Sequence, residues 1–245
     1  MSYLRTIILT LSVPALVCAQ ALPKGETIMD RHVEATGGLK AYATKKSAVY
    51  KGSLAVPAMG LKGPLTLTKA EPNSQLMEVE LPGVGKMLEG FDGSTAWGFN
   101  AMQGPSIKEG DEKAFAVRGA RFHSEDWRKD YKSVETVGEE ALEGERCYKV
   151  ICTPHQGPQE TQLFSAQSGL LLKAAVKMKT AMGEIPAETS FKDYKKVGDI
   201  LVAHTENQSA AGQVMVQTFT SVEWNVALPP DKFLPPAEVR ALVKK

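Results

Sequence analysis

The stretch LEGFDGSTAWGF, residues 88–99, decides how this chain is read. Asp92, Ser94 and Trp97 crowd around Gly93, as the residues of a small catalytic site would. Asp-Gly between two strands is also a strong hairpin signal, because both central residues of a tight type I′ turn need positive φ. A two-residue turn at Asp92-Gly93 sets Phe91 opposite Ser94 and Leu88 opposite Trp97. Leu88, Gly90 and Trp97 then share one face, with Gly90 leaving room beside the indole. Glu89 and Phe91 point the other way. No histidine lies nearby in sequence, so Asp92 is expected in a turn and Ser94 at the start of a strand.

The flanking sequence extends this pattern. Tyr50, Leu54 and Val56 alternate with Lys51, Ser53 and Ala55. Leu61, Leu65 and Leu67 alternate with Lys62, Thr66 and Thr68, and Met77, Val79 and Leu81 with Glu78 and Glu80. Pro57-Ala58-Met59-Gly60, Glu71-Pro72-Asn73 and Pro82-Gly83 separate these runs. Such spacing predicts a meander of half-buried antiparallel strands. Further strands are expected at 134–138, 145–153, 161–165, 170–179, 189–194, 200–204 and 213–223, roughly ten or eleven in all. Helices are expected at 26–35, stopped by Gly37-Gly38, and at 39–43, 111–120, 125–131 and 237–243. The 111–131 segment reads equally as a lid over a sheet edge or as a connection. A sheet this long, apolar on one face, has to curl or be covered. Capped by few helices, it can enclose an apolar hollow of the kind that holds greasy ligands.

Composition removes some functions. Of 245 residues, 43% are hydrophobic and 7% aromatic, enough for a single domain with a substantial core. Lys and Arg number 29 against 28 Asp and Glu, which gives no sign of a nucleic-acid partner. At the N-terminus, Arg5, the apolar run 7–17 and Ala19-Gln20-Ala21 form a secretory-signal layout. Cleavage is expected after Ala19, with Ala21 as the alternative. The remainder, 20–245, reads as one domain in the periplasm or outside the cell. The apolar run is too short for a bilayer span. Cys18 lacks the small preceding residue that lipidation wants. Cys147 and Cys152 lie on one expected strand about 16 Å apart, facing opposite sides. They suit neither a disulfide nor a shared metal site.

Catalytic patterns are missing. His32, His123, His155 and His204 form no paired ligand spacing and no H-E-x-x-H, and there is no G-x-S-x-G elbow. His32 is expected on the apolar face of the first helix and His155 in a solvated turn. Trp97, Trp127 and Trp224 are of the type that stacks a sugar or lines a lipid cavity, but core or rim packing is the expectation for each. Lys173, Lys177 and Lys179 read as a solvated strand face, one that could also meet anionic headgroups.

In order along the chain, HVEATGGLKAY (32–42), GVGKMLEGFDGSTAW (83–97), ETVGEEALEGERCYKVICTP (135–154), LFSAQSGLLLK (163–173), FKDYKKVGDILVAHT (191–205) and VEWNVALPPDKFLPP (222–236) resemble the bacterial outer-membrane lipoprotein-sorting proteins of the LolA/LolB-like superfamily. The resemblance implies a mainly β fold: a strongly curved antiparallel sheet, an unclosed β-barrel, with a helical lid over an apolar cavity. It implies a carrier of lipoprotein acyl chains or other lipids, without catalysis, cofactor or metal. An inner-membrane donor and an outer-membrane acceptor would be its partners, and the chain would act as a monomer in outer-membrane biogenesis. No arginine here matches the lid arginine of that superfamily, and Phe164-Ser165 stands where relatives often carry Phe-Asp. The residues expected to line the cavity are Tyr50, Leu54, Leu65, Leu67, Met77, Val79, Leu88, Trp97, Val176 and Met178. A protein-interaction or sensor module on the same fold is the alternative, marked by a filled interior. A lipid hydrolase is a third possibility and lacks a visible nucleophile–His pair.

Overall fold

The computed structural model describes residues 21–180 and 183–243; the expected signal segment, 1–19, lies outside the described residues. Helices α1 (Gly25–Thr36) and α2 (Gly38–Tyr42) open the described chain. Gly37, at φ 137°, separates them, and a Cβ there would fall 2.6 Å from the Asp199 carbonyl oxygen. Six strands follow: β1 (Ser47–Val56), β2 (Leu61–Ala70), β3 (Ser74–Leu81), β4 (Gly85–Phe91), β5 (Ala96–Asn100) and β6 (Gly104–Ile107). Helix α3 (Gly110–Ala120) leads to β7 (Tyr131–Leu142), β8 (Glu145–Pro154), β9 (Glu160–Ser165) and β10 (Leu171–Thr180). The chain ends with β11 (Gly183–Val197), β12 (Ile200–Ala210), β13 (Gln213–Trp224) and α4 (Ala237–Val243).

All thirteen strands form one antiparallel sheet in the order β6-β5-β4-β3-β2-β1-β13-β12-β11-β10-β9-β8-β7. Pairing of β1 with β13 joins two meanders, and β6 and β7 remain as edges, so the sheet is not closed into a barrel. The mainly β, unclosed architecture expected from sequence is therefore present, with more strands than the ten or eleven expected. Strand β6 carries Pro105 and only a short run, which hid it from the alternation. The helix expected at 125–131 is not formed. A 3-10 turn, Trp127–Lys129, stands there, with Trp127 buried.

The 88–99 hairpin has a four-residue loop instead of a two-residue one. Phe91 pairs with Ala96, Gly90 with Trp97 and Leu88 with Phe99. Asp92 decides this. Its Oδ1 accepts from Ser94 N at 2.9 Å, Ser94 Oγ at 2.9 Å and Thr95 N at 2.8 Å, so the side chain spans the turn. Compared with the expected pairing, the register slides by two residues, which preserves every facing because side chains alternate with period two. Leu88, Gly90 and Trp97 do share a face. A Cβ on Gly90 would lie 2.4 Å from Trp97 Cζ2.

Register carried across the sheet separates two surfaces. Tyr50, Gly52 and Leu54 on β1 share the inner one with Leu65 and Leu67 on β2, Met77 and Val79 on β3, and Gln217 and Phe219 on β13. Helix α1 packs on this inner face at the β7–β9 end, where Ile28, Met29 and Val33 meet Val134, Val150, Cys152 and Phe164. Helix α3 lays Ala116, Val117 and Ala120 on Phe91 and Ala96 and also touches β10. In a flat sheet β4 and β10 would be ~34 Å apart, whereas this helix is only about 16 Å long. The sheet therefore curls, and α3 straps its two wings together. Helix α4 covers the outer face, with Val239 against Leu76 and Trp97.

Candidate functional site

The concave face has an apolar floor. Tyr50, Leu54, Leu65, Leu67, Met77 and Val79 fall into one cluster with Phe219, Val56 and Leu81. Alternation on β1–β3 puts all six on the same side, as the sequence pattern suggests. Val176 is buried and Met178 half-buried on β10, across the curl from this floor. Leu88 and Trp97 do not join them: both lie on the outer face with Leu76, Phe99 and Val239. The physical reason is that both faces of β4 and β5 are covered, one by α3 and the other by α4. An apolar residue there carries no mark of which side is the hollow.

Polar bonds hold the strap. Arg118 of α3 donates through Nη2 to Glu160 Oε1 on β9; the two side chains are only 11% and 7% exposed. Tyr131 Oη donates to Glu160 Oε2 at 2.8 Å, and Gln162 Nε2 donates to Tyr131 Oη at 3.0 Å. Beyond α3, Arg121 pairs with Asp130, whose carboxyl burial pushes upward against the pull of Arg121. At the other end of α3, Lys179 N donates to Asp111 Oδ2 at 3.0 Å. The 121–130 segment is tied in turn to α1. Asp30 accepts from Trp127 Nε1 at 2.9 Å and from both Arg128 Nη atoms at 2.9 and 2.8 Å. Hydrogen bonds from Arg128 hold the Asp30 carboxyl below its ordinary range.

A hollow of about 170 Å³ lies between α1, α2, residues 122–124 and the inner face of β1, β2, β11 and β12. Tyr50 is the one expected floor residue on its wall. Lys69, Tyr42, Tyr194 and Trp224 also line it; of these the sequence marked only Trp224, as core or rim packing. Lys69 sits at the end of an alternating run, where a lysine ordinarily means solvent. Trp224 packs edge-on against Tyr50 at 6.1 Å and donates through Nε1 to Val197 O at 3.1 Å. A larger cleft of about 780 Å³ lies outside the strap, between α1, α2 and residues 123–129.

None of the histidines addresses a nucleophile. His32 Nδ1 donates to Gly169 O at 3.1 Å, and its ring stands edge-on to Phe164. His123 lies between Glu125 and Glu71, at 2.9 and 3.4 Å. His155 Nε2 is 3.4 Å from Arg128 O in an exposed turn, and buried His204 is 2.9 Å from Val202 O. Cys147 and Cys152 are buried free thiols five residues apart on β8, hence on opposite faces. Burial pushes the Cys152 thiol up to about 12. Among the described residues, no group of three or more His, Cys, Asp or Glu is placed to hold a metal ion, and no helix is long and apolar enough to cross a membrane. Lys173 pairs with Glu188 at 2.7 Å, and Lys177 and Lys179 are exposed.

His32 gives acid sensitivity. Burial pushes its imidazole down to about 4 from the ordinary 6.5, against the raising effect of the Gly169 carbonyl. The unfolded chain takes this proton near pH 6.5 and the folded chain only near 4. The stabilisation is thus complete above 6.5 and is lost as pH falls toward 4, by about 2–3 kcal/mol. His32→Gln is expected to flatten that slope in urea titrations between pH 7 and 4. An unchanged slope would assign the acid sensitivity elsewhere.

No family sequence model matches the chain, and no curated protein matches it in sequence. Solved structures do match in fold. A DUF1329 family protein from Desulfovibrio piger is 14% identical, with 85% of this chain and 96% of that one covered, at TM-score 0.58. A LolA superfamily protein from Nitrosomonas europaea is 12% identical, covering 87% and 99%, also at 0.58. A domain described as an outer membrane lipoprotein-sorting protein, from Vibrio parahaemolyticus, is 13% identical, covering 90% and 100%, at 0.54. The open antiparallel sheet with its few helices is thus a fold shared with LolA superfamily proteins.

Proposed function

We propose that this protein is a non-catalytic periplasmic carrier of acyl chains, from lipids or lipoproteins, moving them between an inner-membrane donor and an outer-membrane acceptor. One observation carries the reading: the concave face has an apolar floor, and helix α3, bonded to β9 and β10 through polar groups, joins the two wings of the sheet on either side of it. Such bonds can be exchanged for water without exposing a large apolar surface. Holding cargo is then a matter of desolvation, worth about 0.8 kcal/mol for each methylene buried. The 170 Å³ hollow is smaller than the ~300–1,000 Å³ of ordinary ligand pockets. Loading a chain therefore requires the segments that roof the hollow, α1, α2 and residues 122–124, to move away from the sheet.

Native mass spectrometry of the mature protein from a bacterial periplasm, followed by lipid analysis, tests this. A stoichiometric acyl-bearing adduct is expected. Leu67 and Met77 pair directly across β2 and β3, and both are only half-buried on the inner face. Leu67→Glu with Met77→Glu is expected to abolish that adduct while the far-ultraviolet spectrum stays native. Adduct retained in the double variant would place the cargo elsewhere.

The close packing of the floor against Phe219 favours one second reading, an envelope module that recognises a protein partner. A bare polypeptide mass, with no uptake of added phospholipid or acylated peptide, would support it over the carrier.

A further inference from the structure

The 170 Å³ hollow contains a cation that makes no ion pair or hydrogen bond among the described residues. Other cations on the concave side are already engaged: Arg118 by Glu160, Arg121 by Asp130 and Lys108 by Glu89. Lys69 differs. It lines the hollow, and among the described residues it makes no ion pair or hydrogen bond through Nζ. A half-buried ammonium without a partner is costly. Tyr50 Oη is likewise without a hydrogen bond and lines the same space, its ring held by Phe219 and Trp224. Ala48 pairs with Lys69 and Tyr50 with Leu67, so Tyr50 and Lys69 are diagonal neighbours on the inner face. Diagonal positions are within reach of long side chains. The wall also includes Lys45 and Tyr42 and contains no Asp or Glu. The wall itself thus carries ammonium and hydroxyl donors, with the nearest unpaired carboxyl, Glu206, just beyond it.

We propose that this hollow seats the small anionic head of a single-chain lipid, a fatty-acid carboxylate, with Lys69 and Tyr50 as its donors. The inference rests on the carrier reading and specifies its cargo. The tail has a path, because Lys69 begins an inner-face row on β2 that continues through Leu67, Leu65 and Leu61, beside Met77 and Val79 of β3. The row is ~26 Å long. A carboxylate head matches the small size of the hollow, about 170 Å³.

Lys69 is held down to about 8 by burial, against the opposing pull of Glu206, Asp130 and Glu125. Glu206 of β12 makes no ion pair among the described residues, and burial pushes its carboxyl upward. Asp130 is paired with Arg121, and Glu125 faces His123. His32, on the α1 side of the hollow, stays neutral above about 4, and burial pushes Tyr42, Tyr50 and Tyr194 above the ordinary phenol range. Lys69 therefore titrates in mildly alkaline solution. A bound carboxylate favours its proton, so affinity for an anion weakens as pH rises past 8.

Isothermal titration of the mature protein with laurate, dodecanol and acetate tests the proposal. Laurate is expected to bind about 10- to 100-fold more tightly than dodecanol, the ratio that charge-assisted hydrogen bonds give. That preference should shrink between pH 7 and 10. Lys69→Met is expected to erase it without weakening dodecanol, and Lys69→Arg to keep much of it. Tyr50→Phe, which keeps the ring packing, should reduce it in part and serves if Lys69→Met does not fold. Equal binding of laurate and dodecanol would overturn the head site and leave the carrier standing. No binding of either chain would overturn both. Acetate binding as tightly as laurate would overturn the lipid assignment and leave a free-anion site.

Discussion

Replacing Arg118 with methionine is expected to destabilise the closed protein by about 3–5 kcal/mol, because it leaves one member of a buried ion pair uncompensated. Glu160 would keep Tyr131 and Gln162 as donors but lose its only ion-pair partner among the described residues. The position of the pair makes the effect local. Helix α3 spans from β4 and β5 to β10, and Arg118 is its contact with β9. Amides of α3 should lose protection from hydrogen exchange before those of β1 and β13, and bound acyl chains should leave faster. Adding Glu160→Gln to Arg118→Met removes the orphaned charge and should recover a large part of the loss. Unchanged α3 protection in the single variant would show that the apolar contacts with Phe91 and Ala96 and the Asp111–Lys179 bond hold the strap without Arg118.

Trp97→Ala is expected to cost a comparable amount, about 3–5 kcal/mol, with no effect on acyl uptake. The indole is 1% exposed and packs against Leu76 and Val239, with Leu88, Phe99 and Phe233 around it. Its Nε1 has no hydrogen-bond partner, so the loss is one of packing alone. Helix α4 has seven residues, too few to be stable without its contacts, and should come loose with the indole. Thermal unfolding and laurate titration of one variant separate the two effects. Loss of uptake in a variant that still folds would move Trp97 to the hollow and reverse the assignment of faces.

Period-two alternation determined which residues stand side by side. Leu88, Gly90 and Trp97 share a face, and Tyr50, Leu65, Leu67, Met77 and Val79 share another, even though the hairpin loop is longer than expected. A slide of two residues leaves every side chain on its own side, so sidedness is robust where register is not. The same alternation carries no information on which face is concave. Both faces of β4 and β5 are apolar, and only the placement of α3 and α4 distinguishes hollow from exterior. The strap was legible as helix-compatible sequence at 111–120. Its clamp was not, because Arg118 and Glu160 are 42 residues apart and meet only when the wings curl toward each other. Lys69 is the clearest case. In the chain it is a strand-end lysine like Lys62. It becomes an enclosed, unpartnered cation because β1 pairs with β13 and the helices roof the inner face, a burial that depends on distant segments and leaves no trace in local pattern.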